Sequence, residues 1–171
     1  MASSIPPHHV GSIYDAVLFM INRLKAGEQY TIDELIDIVK MPDFPTGGTI
    51  INHEEVIRGY KTGRGRVLLR SVYQIEEVKN KHRIIITEIP YQVNKSKLIE
   101  KINELRLSDK VEGIASVLDN SKNDVRIIIE TKNGANPERI LNSLFKLTDL
   151  QSSVSMNHVA IFDGHPKQFT L

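Results

Sequence analysis

The sequence predicts an α+β fold, with a mixed or antiparallel sheet and flanking helices. Three observations predict it. Two β-rich runs, residues 67–78 and 83–89, are separated by the short stretch "KNKH", the pattern of a long hairpin. Amphipathic stretches of helical period interleave with β-rich ones, and several open on capping residues. The interleaving has no strict strand–helix–strand rhythm and no internal repeat, so a regular parallel sheet is not expected.

The elements follow in order. Pro6 and Pro7 remove two backbone donors and keep "SSIPPHHVGS" irregular. From Val10 to Ala26, Val10, Ile13, Tyr14, Val17, Leu18, Ile21 and Leu24 recur at helical spacing, and Gly27 supplies the stop. Thr31 and Glu34 make a capping box for "IDELIDIVK", which Pro42 ends. "PDFPTGG" is a turn-rich connection. Residues 49–51 read as a short strand, and Asn52 with Glu55 as the cap of a helix through Tyr60. After the long hairpin, Asn94 caps a helix with Leu98, Ile99, Ile102 and Leu105 on one face. Strands at 115–118 and 125–131 are joined by "DNSKND". Asn136 as cap and Pro137 at the first helical position start a helix carrying Ile140, Leu141, Leu144 and Phe145. Residues 154–162 with "DGHPKQFTL" read as a last hairpin.

The 171 residues suffice for one substantial core, or for two small ones sharing an interface. With 40% hydrophobic and 25% charged residues, the composition is that of a soluble globular chain. No Cys is present, which excludes disulfides and thiolate metal sites. The longest apolar run, Ala16 to Ile21, is far short of the ~20 residues of a membrane span. No membrane partner and a cytoplasmic location are therefore expected. A net charge of +1 argues against a dedicated, strongly basic nucleic-acid binder, so any DNA contact should be local.

One window breaks the charge balance. Between Arg58 and Arg70 lie Arg58, Lys61, Arg64, Arg66 and Arg70, with no Asp or Glu. "GRGRVL" is not a dinucleotide fingerprint, because Leu68 stands where a third glycine is needed and a strand follows instead of a helix. What remains is a Gly-Arg-Gly-Arg turn feeding a strand, with Arg66 and Arg70 in alternating registers. Glycine lets a backbone approach a phosphate, and arginine matches phosphate oxygens bidentately. Phosphate contact through Lys61, Arg64, Arg66 and Arg70 stands against a plain solvated hairpin whose arginines pair with Glu76, Glu77 or Glu88. Other chemistry lacks support. "HEEVI" has Ile57 where H-E-x-x-H needs histidine, no G-x-S-x-G elbow occurs, and the paired carboxylates read as solvated faces. No catalytic, metal or cofactor-binding residue is expected.

Six collinear motifs carry a resemblance: "IPPHHVG" (5–11), "MPDFPTGG" (41–48), "GYKTGRGRV" (59–67), "ITEIPYQVNKSKLIEKI" (86–102), "VEGIASVLDNS" (111–121) and "SMNHVAIFDGHPKQ" (155–168). Together they resemble the A subunit of bacterial type IIA DNA topoisomerases, gyrase and topoisomerase IV, over essentially the whole chain. "LFKLTDLQ" (144–151) looks more like topoisomerase IV than gyrase. The resemblance implies that residues 1–46 are an N-terminal helical segment continuing from a winged-helix region. It implies that 47–171 form the tower, an α/β lobe beside the bound gate DNA. It also implies an A-subunit homodimer that cuts one duplex, passes another through and reseals it, with ATP and Mg²⁺ bound by the partner B subunit.

Within the family, the catalytic tyrosine lies upstream of "IPPH" and the long exit-gate coiled coil follows the last motif. The chain is therefore expected to be a fragment, inactive alone, whose Tyr14, Tyr30, Tyr60, Tyr73 and Tyr91 are not the nucleophile. The family's isoleucine before the two prolines inserts between base pairs and helps to bend the gate duplex. Here it is Ile5, flanked by Ser4 and, beyond the prolines and His8, by His9, where the family usually has asparagines. The alternative is a scaffold lobe that touches DNA little, with Ile5 packed on the neighbouring helix.

Overall fold

The computed structural model describes residues 3–171, so the first two residues of the expected 1–46 segment lie outside the described residues. Helix α1 (Val10–Lys25) forms as expected, with His9 as its cap: Nδ1 accepts from the Ser12 amide at 3.3 Å. A ring nitrogen thus does what an asparagine oxygen would do at this position. The apolar stripe of α1 is present, but only Ala16 is buried on the helix. Val10, Tyr14 and Leu24 stand largely in solvent. Ala16 packs with Leu35 and Val39 of α2 (Ile32–Val39), and Phe19, Met20, Ile38 and Leu171 close the cluster. The Thr31–Glu34 box is complete, with Glu34 Oε2 accepting from the Thr31 amide at 2.8 Å and Thr31 Oγ1 from the Glu34 amide at 3.3 Å.

Strand β1 (Thr49–Ile50) precedes α3 (His53–Thr62), which runs two residues past the expected end to the left-handed Gly63. Asn52 does not cap α3. Its amide nitrogen donates to the Arg66 carbonyl at 2.9 Å, and its oxygen accepts from the Leu68 amide at 2.8 Å. A strand edge offering both a donor and an acceptor satisfies the whole amide, whereas a helix terminus would use only its oxygen.

The expected run 67–78 is two strands, β2 (Arg64–Arg70) and β3 (Val72–Val78), which belong to different sheets. The break is at buried Ser71, whose amide donates to the Leu150 carbonyl at 2.8 Å. Strand β3 pairs with β4 (Lys81–Glu88) through a tight turn at Lys79 and Asn80, both at positive φ. Helix α4 (Lys95–Leu107), strands β5 (Ile114–Asp119) and β6 (Ile127–Thr131), and helix α5 (Pro137–Leu147) follow as expected. Asn94 and Asn136 cap the two helices through their side chains. The tail holds three strands, β7 (Gln151–Asn157), β8 (Val159–Phe162) and β9 (His165–Gln168), the last two forming an antiparallel hairpin.

The chain divides into two compact units. One comprises the residues up to Pro45 together with Ile50–Leu68 and Ser153–Leu171; the other comprises Thr46–Thr49 and Leu69–Ser152. Besides α1 and α2, the first unit takes in α3, most of β2 and the C-terminal hairpin.

The second unit is built on the antiparallel sheet β3-β4-β6-β5. Ile84 and Ile86 of β4 stand opposite Ile129 and Ile127 of β6. Leu98, Ile102 and Leu105 of α4 and Ile140, Leu141 and Leu144 of α5 pack with them in one core. The architecture is α+β with antiparallel pairing in this sheet and in the hairpin. Among the described residues no helix is long and apolar enough to cross a membrane.

Candidate nucleic-acid interface

Four of the five residues expected at DNA fall in the first unit: Ile5, Lys61, Arg64 and Arg66. Arg70 falls in the second. Burial alternates along β2, with Val67 and Leu69 fully buried and Arg64 and Arg66 exposed. Arg64, Arg66 and Arg70, the first, third and seventh residues of the strand, therefore share one register and do not alternate, and the strand begins at Arg64 where a turn was expected.

The charges are only partly free of acids. Glu55 of α3 reaches Arg66 at 3.2 Å and Arg58 at 3.8 Å, and Lys61 pairs with Asp33 of α2. Asn52 and then these arginines hold the Glu55 carboxyl below the usual carboxylate range, so it is ionised at neutral pH. Arginine–acid pairing thus occurs, but not with Glu76, Glu77 or Glu88. Glu88 is instead bonded to the Gly48 amide at 2.6 Å. Even in its pair, the Arg66 side chain keeps 61% of its surface, and Arg58 keeps 71%. Ion pairs open to solvent in this way are weak, so a phosphate can exchange for the carboxylate at small cost.

The glycines of the motif serve the protein itself. At Gly65 an added Cβ would stand 3.1 Å from the Gly59 Cα and 3.4 Å from the Glu55 carbonyl oxygen, so β2 lies directly on the backbone of α3. At Gly63 it would overlap the Phe169 carbonyl, and the φ of +73° favours a residue without a Cβ. Gly65 thus serves the packing of strand on helix, and Gly63 the close approach of the C-terminal segment. Arg70 has a different setting: its guanidinium lies 4.4 Å above the Phe145 ring and donates twice to Gln151 Oε1, at 2.7 and 3.1 Å.

Ile5 sits in an extended segment with 63% of its surface exposed. Ser4 and Asn157 exchange both backbone hydrogen bonds, at 2.9 and 2.7 Å. Ile5 borders an apolar cavity of about 240 Å³ that is also lined by Ile13, Val159 and Phe169. Behind it lies a polar group that sequence reasoning missed. His8 Nε2 is 2.6 Å from the hydroxyl of fully buried Tyr60, and buried His158 lies on from the same ring, 6.3 Å between centroids. Burial holds both imidazoles below their ordinary pKa, and the neighbouring His8 lowers His158 further. Burial also pushes the Tyr60 phenol well above its ordinary value, which keeps it protonated. Among the described residues no three His, Asp or Glu side chains converge as a metal site.

The family described as the A subunit of DNA gyrase/topoisomerase IV matches residues 1–171. The DNA gyrase A subunit of Neisseria gonorrhoeae is 47% identical over 175 residues, covering 100% of this chain and 19% of the relative. The DNA gyrase A subunit of Helicobacter pylori strain 26695 is 44% identical over 172 residues, covering 100% of this chain and 20% of the relative. The DNA topoisomerase 4 A subunit of Streptococcus pneumoniae is 46% identical over 169 residues, covering 98% of this chain and 20% of the relative. The chain thus spans about a fifth of the length of these relatives, and it is similar to both paralogues to the same degree. It belongs to the family of DNA gyrase and topoisomerase IV A subunits.

Proposed function

We propose that this chain is the part of a gyrase or topoisomerase IV A subunit that holds and bends the gate duplex. The observation that carries the reading is the presentation of Ile5: an exposed apolar side chain on an extended segment fixed by a two-way bridge to Asn157. It lies in the same compact unit as Lys61, Arg64 and Arg66. An apolar wedge kinks a duplex by unstacking a base step, and cations beside it hold the backbone that has been bent. Arg70 is proposed as a further phosphate contact, its guanidinium already oriented by Phe145 and Gln151.

The parent would be a homodimeric cytoplasmic subunit that passes one duplex through another. ATP and Mg²⁺ would be held by the B subunit, with no residue of this chain assigned to them. The nucleophilic tyrosine would lie upstream of this segment. Tyr60 is unsuited to the role, being fully buried. Peptide mapping of the covalent protein–DNA adduct of the full-length protein is expected to find none of Tyr14, Tyr30, Tyr60, Tyr73 and Tyr91 linked to DNA. An adduct on any of them would overturn the assignment.

The wedge is tested by energy transfer across an end-labelled gate duplex bound to the full-length protein with its B partner. Ile5→Ala is expected to lose most of the bent population while retaining DNA binding, and unchanged bending would remove the wedge. A scaffold lobe with little DNA contact is favoured by one observation, the sharing of the single Glu55 carboxylate by Arg58 and Arg66. The salt dependence of binding separates the two readings.

A further inference from the structure

We infer that Tyr60 is a positioning residue for Ile5, acting through His8; the inference rests on the wedge reading above. The segment carrying Ile5 is held on both sides of that residue. Upstream, Ser4 is bridged to Asn157, and its hydroxyl donates to the Ser155 carbonyl at 2.9 Å. Downstream, the Pro7 carbonyl accepts from the Asp43 amide at 2.9 Å, and His8 Nε2 meets the Tyr60 hydroxyl at 2.6 Å. Pro6 is buried, and the two prolines fix φ between Ile5 and His8. A displacement of the His8 ring is therefore passed to Ile5 with little slack.

Most of these ties are backbone bonds, which any sequence could make. The bond between His8 and Tyr60 depends on side-chain identity. Tyr60 is fully buried, so phenylalanine would fill nearly the same space. The hydroxyl is explained by its bond to His8, since a buried phenol needs a partner and a buried ring alone does not. His8 directly follows the proline pair, so its bond to the Tyr60 hydroxyl ties that pair to α3. The Tyr60 ring also lies against the rings of His8 and His158, with centroids 5.7 and 6.3 Å away, and its carbonyl accepts from the Leu171 amide at 2.9 Å. Tyr60 thus has little freedom of its own, and its hydroxyl is a fixed reference for the segment in front of it.

The experiment uses the full-length protein with its B partner and an end-labelled gate duplex, reading bending by energy transfer and affinity by salt titration. Tyr60→Phe and His8→Ala are each expected to lower the bent fraction several-fold with the salt slope unchanged. The double variant should be no worse than either single one, as for two groups acting through one bond. His8→Gln, whose amide can still meet the hydroxyl, should restore most of the bending. Leu35→Ala, in the α1–α2 cluster, controls for loss of stability. Normal bending by Tyr60→Phe, with bending abolished in Ile5→Ala, would overturn the role of Tyr60 and leave the wedge standing. Equal loss in Leu35→Ala at matched unfolding midpoint would also overturn it, by making the effect one of stability. Normal bending by Ile5→Ala would sink the wedge and the positioning role together.

Discussion

The full-length protein carrying Arg64→Ala and Arg66→Ala is expected to bind duplex DNA with a slope of log affinity against log salt flattened by nearly two, about 0.9 for each phosphate no longer bound. Between 50 and 200 mM salt that difference amounts to roughly a tenfold smaller loss of affinity in the variant than in the parent. Phosphate contacts carry no sequence information, so all duplexes should weaken alike. Arg66 is shared with Glu55 before DNA arrives, and removing it leaves an ionised carboxylate facing the incoming backbone. The affinity at low salt should therefore fall further than for Arg64→Ala alone. Filter binding or anisotropy across a salt series measures both quantities. If slope and affinity match those of the parent, the arginines form a solvated strand and the scaffold reading holds.

Ile102→Ala should destabilise the second unit by about 2–5 kcal/mol, the range for truncating a large aliphatic side chain in a packed core. Ile102 is fully buried on α4, in the cluster that also contains Ile84, Ile86, Ile127 and Ile129. Substitution leaves a void that the sheet, fixed by ladders on both sides of β4, can fill only in part. Ile99→Ala, at the partly covered edge of the same helix, is the internal control and should cost less. Denaturant midpoints at unchanged m-value provide the comparison. A cost near zero for Ile102→Ala would contradict the packing of α4 on this sheet.

What was legible in the sequence was local. Thr31 with Glu34, Asn94, and Asn136 with Pro137 cap helices where they were expected to, because each needs only amides two or three residues away. Asn52 carries the same local signature and does something else, because strand β2 offers it both a donor and an acceptor. The break at Ser71 is equally non-local: the partner of its amide, Leu150, is remote in sequence, and nothing in the β-rich run 67–78 announces it. Helix α1 shows the limit of periodicity, which gives the apolar stripe correctly but not whether anything covers it.

The candidate site divides in the same way. Composition located the basic window, since an excess of one charge is visible without a fold. Its acidic partners were not visible there. Glu55 lies just before the window, and Asp33 reaches it only because α2 and α3 pack together. Nor could spacing reveal the group formed by His8, Tyr60 and His158, which come from three distant parts of the chain.

The meeting of Gly59 and Gly65 has a consequence for mutational tolerance. A Cβ at 65 would lie 3.1 Å from the Gly59 Cα, and one at 59 would lie 3.5 Å from the Gly65 Cα and 3.1 Å from the end of Met156. A side chain at 65 must part strand from helix, whereas one at 59 meets the Gly65 Cα at ordinary contact distance and has chiefly the flexible end of Met156 to displace. Once Gly65→Ala has parted the two, Gly59→Ala enters a gap already opened. Two alanines should therefore cost less than the sum of the two single costs, with the change at 65 carrying most of the burden whichever comes first.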